Sequence, residues 1–502
     1  MRGYTYFAAV AVLAPRALAA PAPVPAPFPQ PSGIVTDPIT GLVSGIVNGV
    51  LDAGSLVSAI PATINDLEDA LTSADAVEQA IANGTIFGTD VPILVQKLFS
   101  AIQPTGTPTN IEQARSSVAA ACGINDPTTS PTPPASILEN AVELVLDGFT
   151  TSDIQTIASG GDPFENAANN QNPAVPSSSK FYNNIKGNAP FSVSENNLRA
   201  AIYIPPGFTW GKKQPIVMSP GTGAYGYINF RSNIGKLLAQ TDYADPVYLN
   251  IPNALLGDAQ ISAEYVAYAL QYFNATTGRK PAIITWSQGS LDAQWAFKYW
   301  PSVRSIVTDH IAISPDYHGT ILAYILCSGF KSGNDIACTP AVLQQDYQSK
   351  FVNKLRSNGG DSAYVPTTTV YSATDEIVQP QTGTAATGFL NDARNVGVSD
   401  TFLQGCSRGK GACAGLPAGL IYSHEGVLYN PVAYALVTDA LTNPGPGSFL
   451  RVADQCINVV APGISLSDVM ETESLIPLAA LNIFSYMPKI TTEPAIKSYA
   501  TY

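Results

Sequence analysis

The spacing of apolar residues changes near residue 195. From residue 34 to about residue 160, apolar side chains recur at helical spacing without an intervening strand pattern. Beyond residue 195, short β-rich runs alternate with helical stretches, and these runs lack the polar alternation of a sheet that faces water. The sequence therefore predicts an α/β protein with a mostly parallel sheet flanked by helices, whose candidate strands are residues 200–203, 216–218, 247–250, 282–286, 311–314 and 368–372.

Helical periodicity also predicts the main helices. They are expected at residues 91–102 and 137–157 in the N-terminal part, and at residues 263–273, 291–299 and 432–441 in the sheet-containing part. A segment rich in Asn, Ser and Pro separates the two parts. We therefore expect an extra helical N-terminal region in front of the α/β domain.

Changes in composition divide the chain into five segments. Residues 1–19 combine Arg2, an apolar stretch and a small-residue ending, which predicts a signal peptide; the alternative is an apolar helix of the mature fold. This stretch is too short to cross a bilayer, and no later segment predicts a transmembrane helix. The other segments are a Pro/Ala-rich linker or pro-segment (20–33), a helical region and linker that is a candidate propeptide, cap or extra packing layer (34–180), the α/β domain (181–460) and a C-terminal extension packing on it (461–502).

Composition restricts the class of partner and the compartment. The 38 acidic residues outnumber the 25 basic ones and give a net charge of −13, which argues against nucleic acid because phosphate binding requires clustered Lys and Arg. Six cysteines without zinc or redox spacing favour an oxidising compartment. The N-x-T sequons at Asn83 and Asn274 predict surface glycosylation. We therefore expect a secreted protein.

A candidate nucleophile directly follows the predicted strand at residues 282–286. Ser287 lies in T-W-S-Q-G, between that strand and a helix. A sharp turn at this point presents a serine hydroxyl at the carboxyl edge of a sheet and directs the helix N-terminus at it. The general pattern is G-x-S-x-G, in which Thr285 replaces the first glycine here. Taken alone, the pattern fits an ordinary serine in a turn equally well.

The chain has only three histidines that could activate this serine. His424, in Y-S-H-E-G, comes late in the chain, where the hydrolase fold places its catalytic histidine. His310 precedes a predicted strand, so a structural role is expected. His318 follows a strand end, where it either lines the site or lies in a surface loop, and we favour the loop. The sequence therefore predicts His424 as the base.

The third member of a triad is a carboxylate that orients the imidazole. Asp375 follows the predicted strand at residues 368–372 and keeps the order Ser, Asp, His. Its neighbour Glu376 is a rival, but adjacent side chains near a strand end point apart, so only one of the two faces the histidine. Asp316 also ends a strand and is assigned to the pocket wall. Asp375 is therefore the predicted acid.

An oxyanion hole requires two hydrogen-bond donors near the nucleophile. One is the backbone N–H of Gln288, and the other is expected from P-G-T-G at residues 220–223, where Thr222 offers a backbone N–H and a hydroxyl. A glycine-rich turn can also hold phosphate, but no lysine or dinucleotide fingerprint accompanies this one. The sequence therefore predicts Thr222 and Gln288 as the oxyanion donors.

These residues resemble the Candida antarctica lipase B family of fungal lipases. The similar segments are M-S-P-G-T-G at 218–223, I-T-W-S-Q-G at 284–289, P-D-Y-x-G-T at 315–320 and V-P-T-T-x-x-Y-S-A-T-D-E-I-V-Q-P at 365–380. The resemblance covers roughly residues 195–460 and implies an α/β-hydrolase fold. It also implies that Ser287 is the nucleophile, Asp375 the acid and His424 the base, and that Thr222 and Gln288 are the oxyanion donors. By the same resemblance, Trp286 matches a tryptophan that shapes the alcohol side of the pocket, and Asp316 matches a pocket aspartate.

The resemblance covers the cysteines only in part. Of the family's disulfides, one has a match here, Cys413 with Cys456. We pair Cys327 with Cys338 by their proximity in the sequence. The partners of Cys122 and Cys406 stay open.

The expected function is that of a secreted lipase or carboxylesterase, a serine hydrolase that cleaves triacylglycerols or other acyl esters through an acyl-enzyme. The alternatives are a short-chain esterase or polyester hydrolase of the same fold, and a catalytically silent binding protein of that fold. The reaction requires no metal or cofactor. The expected partners are lipid or small-molecule esters, in solution or at a lipid–water interface, and the chain is expected to be a monomer.

Overall fold

The computed structural model describes residues 57–501, except residues 83, 87, 128, 133–135, 160–166, 180, 328–336 and 406–411. Segments 1–19 and 20–33, predicted as signal peptide and linker, lie outside the described residues. Asn83 and Cys406 lie outside them as well.

The described residues contain a seven-stranded sheet in the order β1-β3-β2-β4-β5-β6-β7. Strand β1 pairs antiparallel with β3, and every other pairing is parallel. Strands β2 to β6 are almost entirely buried, as expected for a sheet covered on both faces. The strands are β1 (Ile202–Tyr203), β2 (Gln214–Ser219), β3 (Ala244–Leu249), β4 (Ala282–Trp286), β5 (His310–Ile313), β6 (Thr367–Tyr371) and β7 (Val398–Phe402).

Helices cover both faces of this sheet and also form the region before it. The N-terminal helices are α1 (Leu67–Ala82), α2 (Asp90–Ala101), α3 (Ile111–Ala121), α4 (Ile137–Leu146) and α5 (Ser152–Ala158). Those of the α/β domain are α6 (Glu195–Ala200), α7 (Gly226–Phe230), α8 (Ile234–Ala239), α9 (Ala259–Thr277), α10 (Gln288–Tyr299), α11 (Pro340–Gln345), α12 (Lys350–Arg356), α13 (Pro431–Thr442) and α14 (Phe449–Val452). After them come α15 (Leu466–Glu473) and α16 (Leu475–Ser485), the last two α-helices among the described residues.

Local sequence explains where several helices begin and end. The side chain of Asn110 accepts a hydrogen bond from the Gln113 N–H at the start of α3, and Ser136 does the same for α4. Helix α15 begins with a capping box between Ser465 and Asp468. Helix α9 ends at Gly278, whose positive φ of 67° suits a residue without Cβ.

The N-terminal helices share a hydrophobic core with the α/β domain. Helix α16 packs against α2 and α4, while α15 packs against α3. One buried cluster joins Leu94 of α2 and Leu138 of α4 to Ile284 of β4 and Ile476 of α16. The fold is therefore an α/β-hydrolase sheet with an additional helical layer from both ends of the described chain.

Candidate active site

Ser287 occupies the turn between β4 and α10, with φ 52° and ψ −129°. A positive φ is strained for a residue with a Cβ, and such strain concentrates at functional sites. Gly289 makes the turn feasible because a Cβ there would lie 2.6 Å from the carbonyl oxygens of Ser219 and Pro220. Gly221 is similarly confined, since its Cβ would lie 2.5 Å from the Trp286 ring. The sequence T-W-S-Q-G thus forms the sharp strand-to-helix turn that the motif requires.

Thr285, which replaces the first glycine of the motif, has a structural role in this turn. Its Oγ1 lies 2.7 Å from Ser290 Oγ and 3.0 Å from His310 Nε2. His310 is fully buried, and burial lowers its pKa to about 3, so the imidazole is neutral at ordinary pH. Thr285 and His310 therefore link β4, β5 and the start of α10 beneath the turn.

Asp375 and His424 are in direct contact. Asp375 Oδ2 lies 2.7 Å from His424 Nδ1, while Asp375 Oδ1 accepts hydrogen bonds from the backbone N–H groups of Ile377 (3.0 Å) and Val378 (2.6 Å). Glu376 points elsewhere and accepts a hydrogen bond from the backbone N–H of His424 at 2.9 Å. Both neighbouring acids therefore contact His424: Asp375 contacts its ring, and Glu376 accepts a hydrogen bond from its backbone.

The charge state of His424 depends on these acids. Burial lowers its pKa, but the neighbouring carboxyl groups outweigh this effect, Asp375 first and then Glu376 and Asp316, so the pKa lies above its ordinary value. His424 Nε2 has no hydrogen-bond partner among the described residues. The second ring nitrogen is therefore available to a reacting group, while the first is held by Asp375.

Thr222 and Gln288 lie together beside the nucleophile, and a third residue joins them. The Thr222 hydroxyl is 2.8 Å from Gln288 Oε1 and 2.9 Å from Gln345 Oε1. Gln345 also donates from its amide nitrogen to Gln288 Oε1 at 3.1 Å. A hydroxyl carries one proton, so Thr222 donates to only one acceptor at a time. Gln345 was not predicted from the sequence, because it lies 123 residues after Thr222 and has no motif of its own.

Ser287, His424, Thr222 and Trp286 line one small cavity of about 20 Å³. Such a volume holds about one water molecule. Ser287 is 4% exposed and His424 is 2% exposed, so both side chains are largely shielded from solvent. The remaining wall is mainly apolar and includes four residues from outside the β-sheet core that sequence analysis did not identify, Ile137, Ile476, Ala479 and Ile483.

Several carboxyl groups near His424 are buried, although none of them lines the cavity. Burial is the main cause that raises the pKa of Asp316 to about 7, with Asp375 adding to it and His424 opposing it. Burial also raises the pKa of Glu425 well above its usual range, and the charges of Glu376 and Glu473 reinforce the shift. In such surroundings the uncharged form of a carboxylic acid has a lower free energy than the ionised form. The site is therefore acidic in composition but only partly charged.

The predicted pocket residues, His318 and the predicted glycosylation site at Asn274 have different surroundings. Asp316 is fully buried and is not among the residues that line the cavity. Trp286 lies against His424, with 4.9 Å between ring centroids, and its Nε1–H donates to the His424 carbonyl at 3.2 Å. His318 is half-buried rather than exposed, and burial lowers its pKa to about 4. Asn274 lies half-buried near the end of α9.

The cysteine pairs match the two predicted disulfides. Cys327 is bonded to Cys338, and Cys413 to Cys456. Cys122, whose partner stayed open, is buried at the end of α3 and has no disulfide partner among the described cysteines. No group of His, Cys, Asp and Glu suited to a metal ion occurs among the described residues. Over the same residues, none of the helices is long and apolar enough to span a membrane.

The sheet, the strained serine turn and the Asp375–His424 pair define the class of protein, an α/β-hydrolase. The chain is 33% identical over 293 residues to Lipase B of Pseudozyma antarctica, a match that spans 57% of this chain and 79% of the relative. It belongs to the lipase B family. No protein-family model matches the chain. Membership identifies it as a lipase or esterase of the α/β-hydrolase fold.

A solved structure extends the likeness beyond the sheet. The crystal structure of Aspergillus fumigatus lipase B superposes with a TM-score of 0.72 at 39% identity, covering 89% of this chain and 99% of that chain. Residues 181–502 make up less than two thirds of the sequence, so this coverage extends into the N-terminal helices. The helical region therefore has a counterpart in that protein.

Proposed function

We propose that this chain hydrolyses carboxylic esters through a triad of Ser287, His424 and Asp375. The observation that carries the proposal is the 2.7 Å contact between His424 Nδ1 and Asp375 Oδ2, at the wall of the cavity that Ser287 also lines. Catalytic hydrogen bonds to a nucleophile often form fully only with substrate bound, so the proposal does not require a hydrogen bond between Ser287 and His424 in the free protein.

The proposed reaction assigns one role to each of these groups. His424 Nε2 takes the proton of the Ser287 hydroxyl as its oxygen attacks the ester carbonyl, and Asp375 stabilises the resulting imidazolium. The backbone N–H groups of Thr222 and Gln288 stabilise the oxyanion, and the Thr222 hydroxyl contributes once it turns from the glutamine carbonyls. His424 then protonates the leaving alcohol, and water activated by the same imidazole hydrolyses the acyl-enzyme.

The N-terminal region is proposed to be a cap that belongs to the active protein. Ile137 of α4 and the cavity-lining residues of α16 close the site, and a cavity of about 20 Å³ is too small for an ester substrate. Substrate entry therefore requires these helices to separate. An apolar lining favours separation at a lipid–water interface, where the exposed side chains meet acyl chains instead of water.

Two rates test the activity and its substrate class. The full chain and Ser287→Ala are compared on emulsified long-chain triacylglycerol and on a soluble short-chain ester. A lipase is expected to be faster on the emulsion, and Ser287→Ala is expected to be inactive on both. Comparable activity of the wild type and Ser287→Ala would contradict the proposal. A wild type active only on the soluble ester would make the chain a short-chain esterase.

We also propose that the protein is secreted. The N-terminal pattern of residues 1–19 and the two disulfides support it. Mass spectrometry of the mature secreted protein should find an N-terminus shortly after residue 19. A mature N-terminus near residue 181 would show that the helical region is a removed propeptide and would refute the cap.

A further inference from the structure

The loop that carries His424 is held from several sides. Residues 422–430 are here called the histidine loop. The backbone of His424 donates to Glu376, and its carbonyl accepts from Ser314 Oγ at 2.8 Å and Trp286 Nε1 at 3.2 Å. Both backbone polar groups of His424 are thus fixed by the α/β domain. Because the imidazole direction follows the backbone, the position of this loop determines where Nε2 lies.

Glu473, at the end of α15, joins two points of the histidine loop. Its Oε2 accepts a hydrogen bond from Ser423 Oγ at 2.9 Å, and its Oε1 accepts one from Tyr429 OH at 2.5 Å. Ser423 Oγ in turn accepts from the Gly426 N–H at 2.9 Å. Glu473 is fully buried. It therefore fixes the residue immediately before His424 and the turn that follows it.

Arg115, from α3 of the N-terminal region, reaches the same loop from outside. Its guanidinium lies 4.5 Å from the centroid of the Tyr422 ring, and its Nη2 donates to the carbonyl of Ile421. Burial raises the pKa of Glu473, and the positive charge of Arg115 is one of several effects that oppose this shift. Helices α3 and α15 pack against each other. Arg115 thus contacts the start of the histidine loop, and its positive charge acts on Glu473.

We propose that Glu473 and Arg115 are positioning residues for the catalytic histidine, so that helices from both ends of the chain hold His424 in its working position. The inference rests on the proposed hydrolase function and adds two residues to its machinery. Neither of them touches the substrate cavity. Their effect passes through the histidine loop, which they hold at residues 422, 423 and 429 and at the carbonyl of Ile421 just before it.

The test uses the full chain and variants with matched controls. Glu473→Ala removes both acceptors, while Glu473→Gln keeps one carbonyl oxygen. The control is Glu264→Gln, since Glu264 is a buried glutamate that holds the loop at residues 192–193 with three hydrogen bonds. Arg115→Met is paired with Arg394→Met, because Arg394 also stacks on a tyrosine, at 3.8 Å from the centroid of Tyr364.

A third variant perturbs the loop without removing a hydrogen-bonding side chain. A Cβ at Gly426 would lie 2.8 Å from Ser423 Oγ and 3.2 Å from Glu473 Oε1. In Gly426→Ala the added methyl group therefore displaces these two oxygens from their present positions. Gly257→Ala is its control, because a Cβ there meets no atom within 4 Å. This pair keeps the inference testable even where Glu473→Ala fails to fold.

The expected result is a loss of kcat with little change in KM on a soluble ester. Glu473→Ala should lower kcat by roughly 10- to 100-fold, the scale of effect that small displacements of a catalytic group produce. Glu473→Gln should recover part of that loss, and Arg115→Met and Gly426→Ala should each lower kcat. In the Glu473 variants the acid limb of the kcat/KM profile should move to lower pH, because a displaced His424 loses part of its interaction with Asp375. The three controls should keep the wild-type kcat and profile.

Two outcomes would overturn this inference without touching the hydrolase proposal. Folded Glu473→Gln, Gly426→Ala and Arg115→Met proteins with wild-type kcat and an unmoved pH profile would show that the contacts serve stability alone. Equal losses of kcat in the controls would show that any loosening of the fold has the same effect. Failure of the hydrolase proposal would be distinct, because the wild type itself would then lack Ser287-dependent activity.

Discussion

Asp316 shows how strongly a single residue near the catalytic site depends on its surroundings. Neither of its carboxyl oxygens has a hydrogen-bond partner among the described side chains and backbone groups, and the residue is fully buried. Burial raises its pKa to about 7, so the folded protein holds a proton there that the unfolded chain releases near pH 4. Between these two values the folded state binds more protons, and stability falls as pH rises.

Asp316→Asn should therefore remove the loss of folding stability that the wild type suffers as Asp316 ionises at higher pH. An amide stays neutral, so the variant should match the wild type near pH 4 and exceed it at pH 8, by an amount on the order of 2 to 4 kcal/mol in the free energy of unfolding. Denaturant unfolding at the two pH values measures this difference. Asp242→Asn, at an exposed position, is the control and should show none. A variant that loses stability equally at both pH values would contradict the assignment of a neutral Asp316.

At this scale the sequence predicted the residues that motifs mark and missed those that only the fold brings in. Asp375 and His424 lie 49 residues apart and are in contact; the sequence paired them from the strand that precedes Asp375 and from the order Ser, Asp, His. Glu376 was weighed only as a rival acid, yet it holds the backbone of the histidine. Gln345 and Glu473 carry no motif, and their partners lie far away in sequence. Such contacts depend on how helices dock, which no local pattern encodes.

At the scale of elements, apolar runs predicted the buried strands well and the exposed edge poorly. Each of the six predicted strands corresponds to one of β1 to β6, but β7 was missed because Val398–Phe402 is polar and mostly half-buried. The helix predicted at 137–157 is divided in two. Gly148 lies in the break with a φ of 88°, and a Cβ there would lie 2.6 Å from the Gly106 carbonyl oxygen. Apolar periodicity continues across such a break and conceals it.

The disulfide between Cys413 and Cys456 encloses the histidine loop within a separation of 43 residues. Replacing both cysteines by alanine should lower the free energy of unfolding by about 2 to 4 kcal/mol, since the unfolded chain regains the freedom of that closed loop. Replacing Cys327 and Cys338, 11 residues apart, should cost about 1 kcal/mol less. Denaturant titration of the two double variants measures both effects. A larger loss from the shorter loop would refute this entropic account.

At the scale of the whole molecule, one helix from before the sheet and one from after it converge on the cavity that Ser287 and His424 line. Helix α4 lies before the sheet and α16 after it, yet they pack together and both line the site. The sequence predicted the helical region and left its purpose open between propeptide, cap and packing layer. Its position over Ser287 follows from tertiary packing of apolar faces, and apolar periodicity cannot say which partner a face meets.

Weakening this cover should speed entry of large ligands. Ile137→Ala removes apolar contact where α4 closes the cavity, and each ~1 kcal/mol that destabilises the closed state should raise the open fraction roughly fivefold. The rate of Ser287 labelling by a long-chain fluorophosphonate should rise more than the rate with a short-chain one. Leu138→Ala, also buried in α4 but not lining the cavity, is the control. An equal rise in both variants would attribute the effect to general destabilisation of the helix.

The most direct test of the whole account is to identify the residue that reacts with a small fluorophosphonate. The chain is labelled, digested and examined by mass spectrometry, alongside Ser287→Ala and His424→Ala. We expect one label per chain on Ser287, none in Ser287→Ala, and labelling slowed at least about a hundredfold in His424→Ala. An unlabelled wild type, or the same labelling in His424→Ala, would contradict the claim that Ser287 is a nucleophile activated by His424.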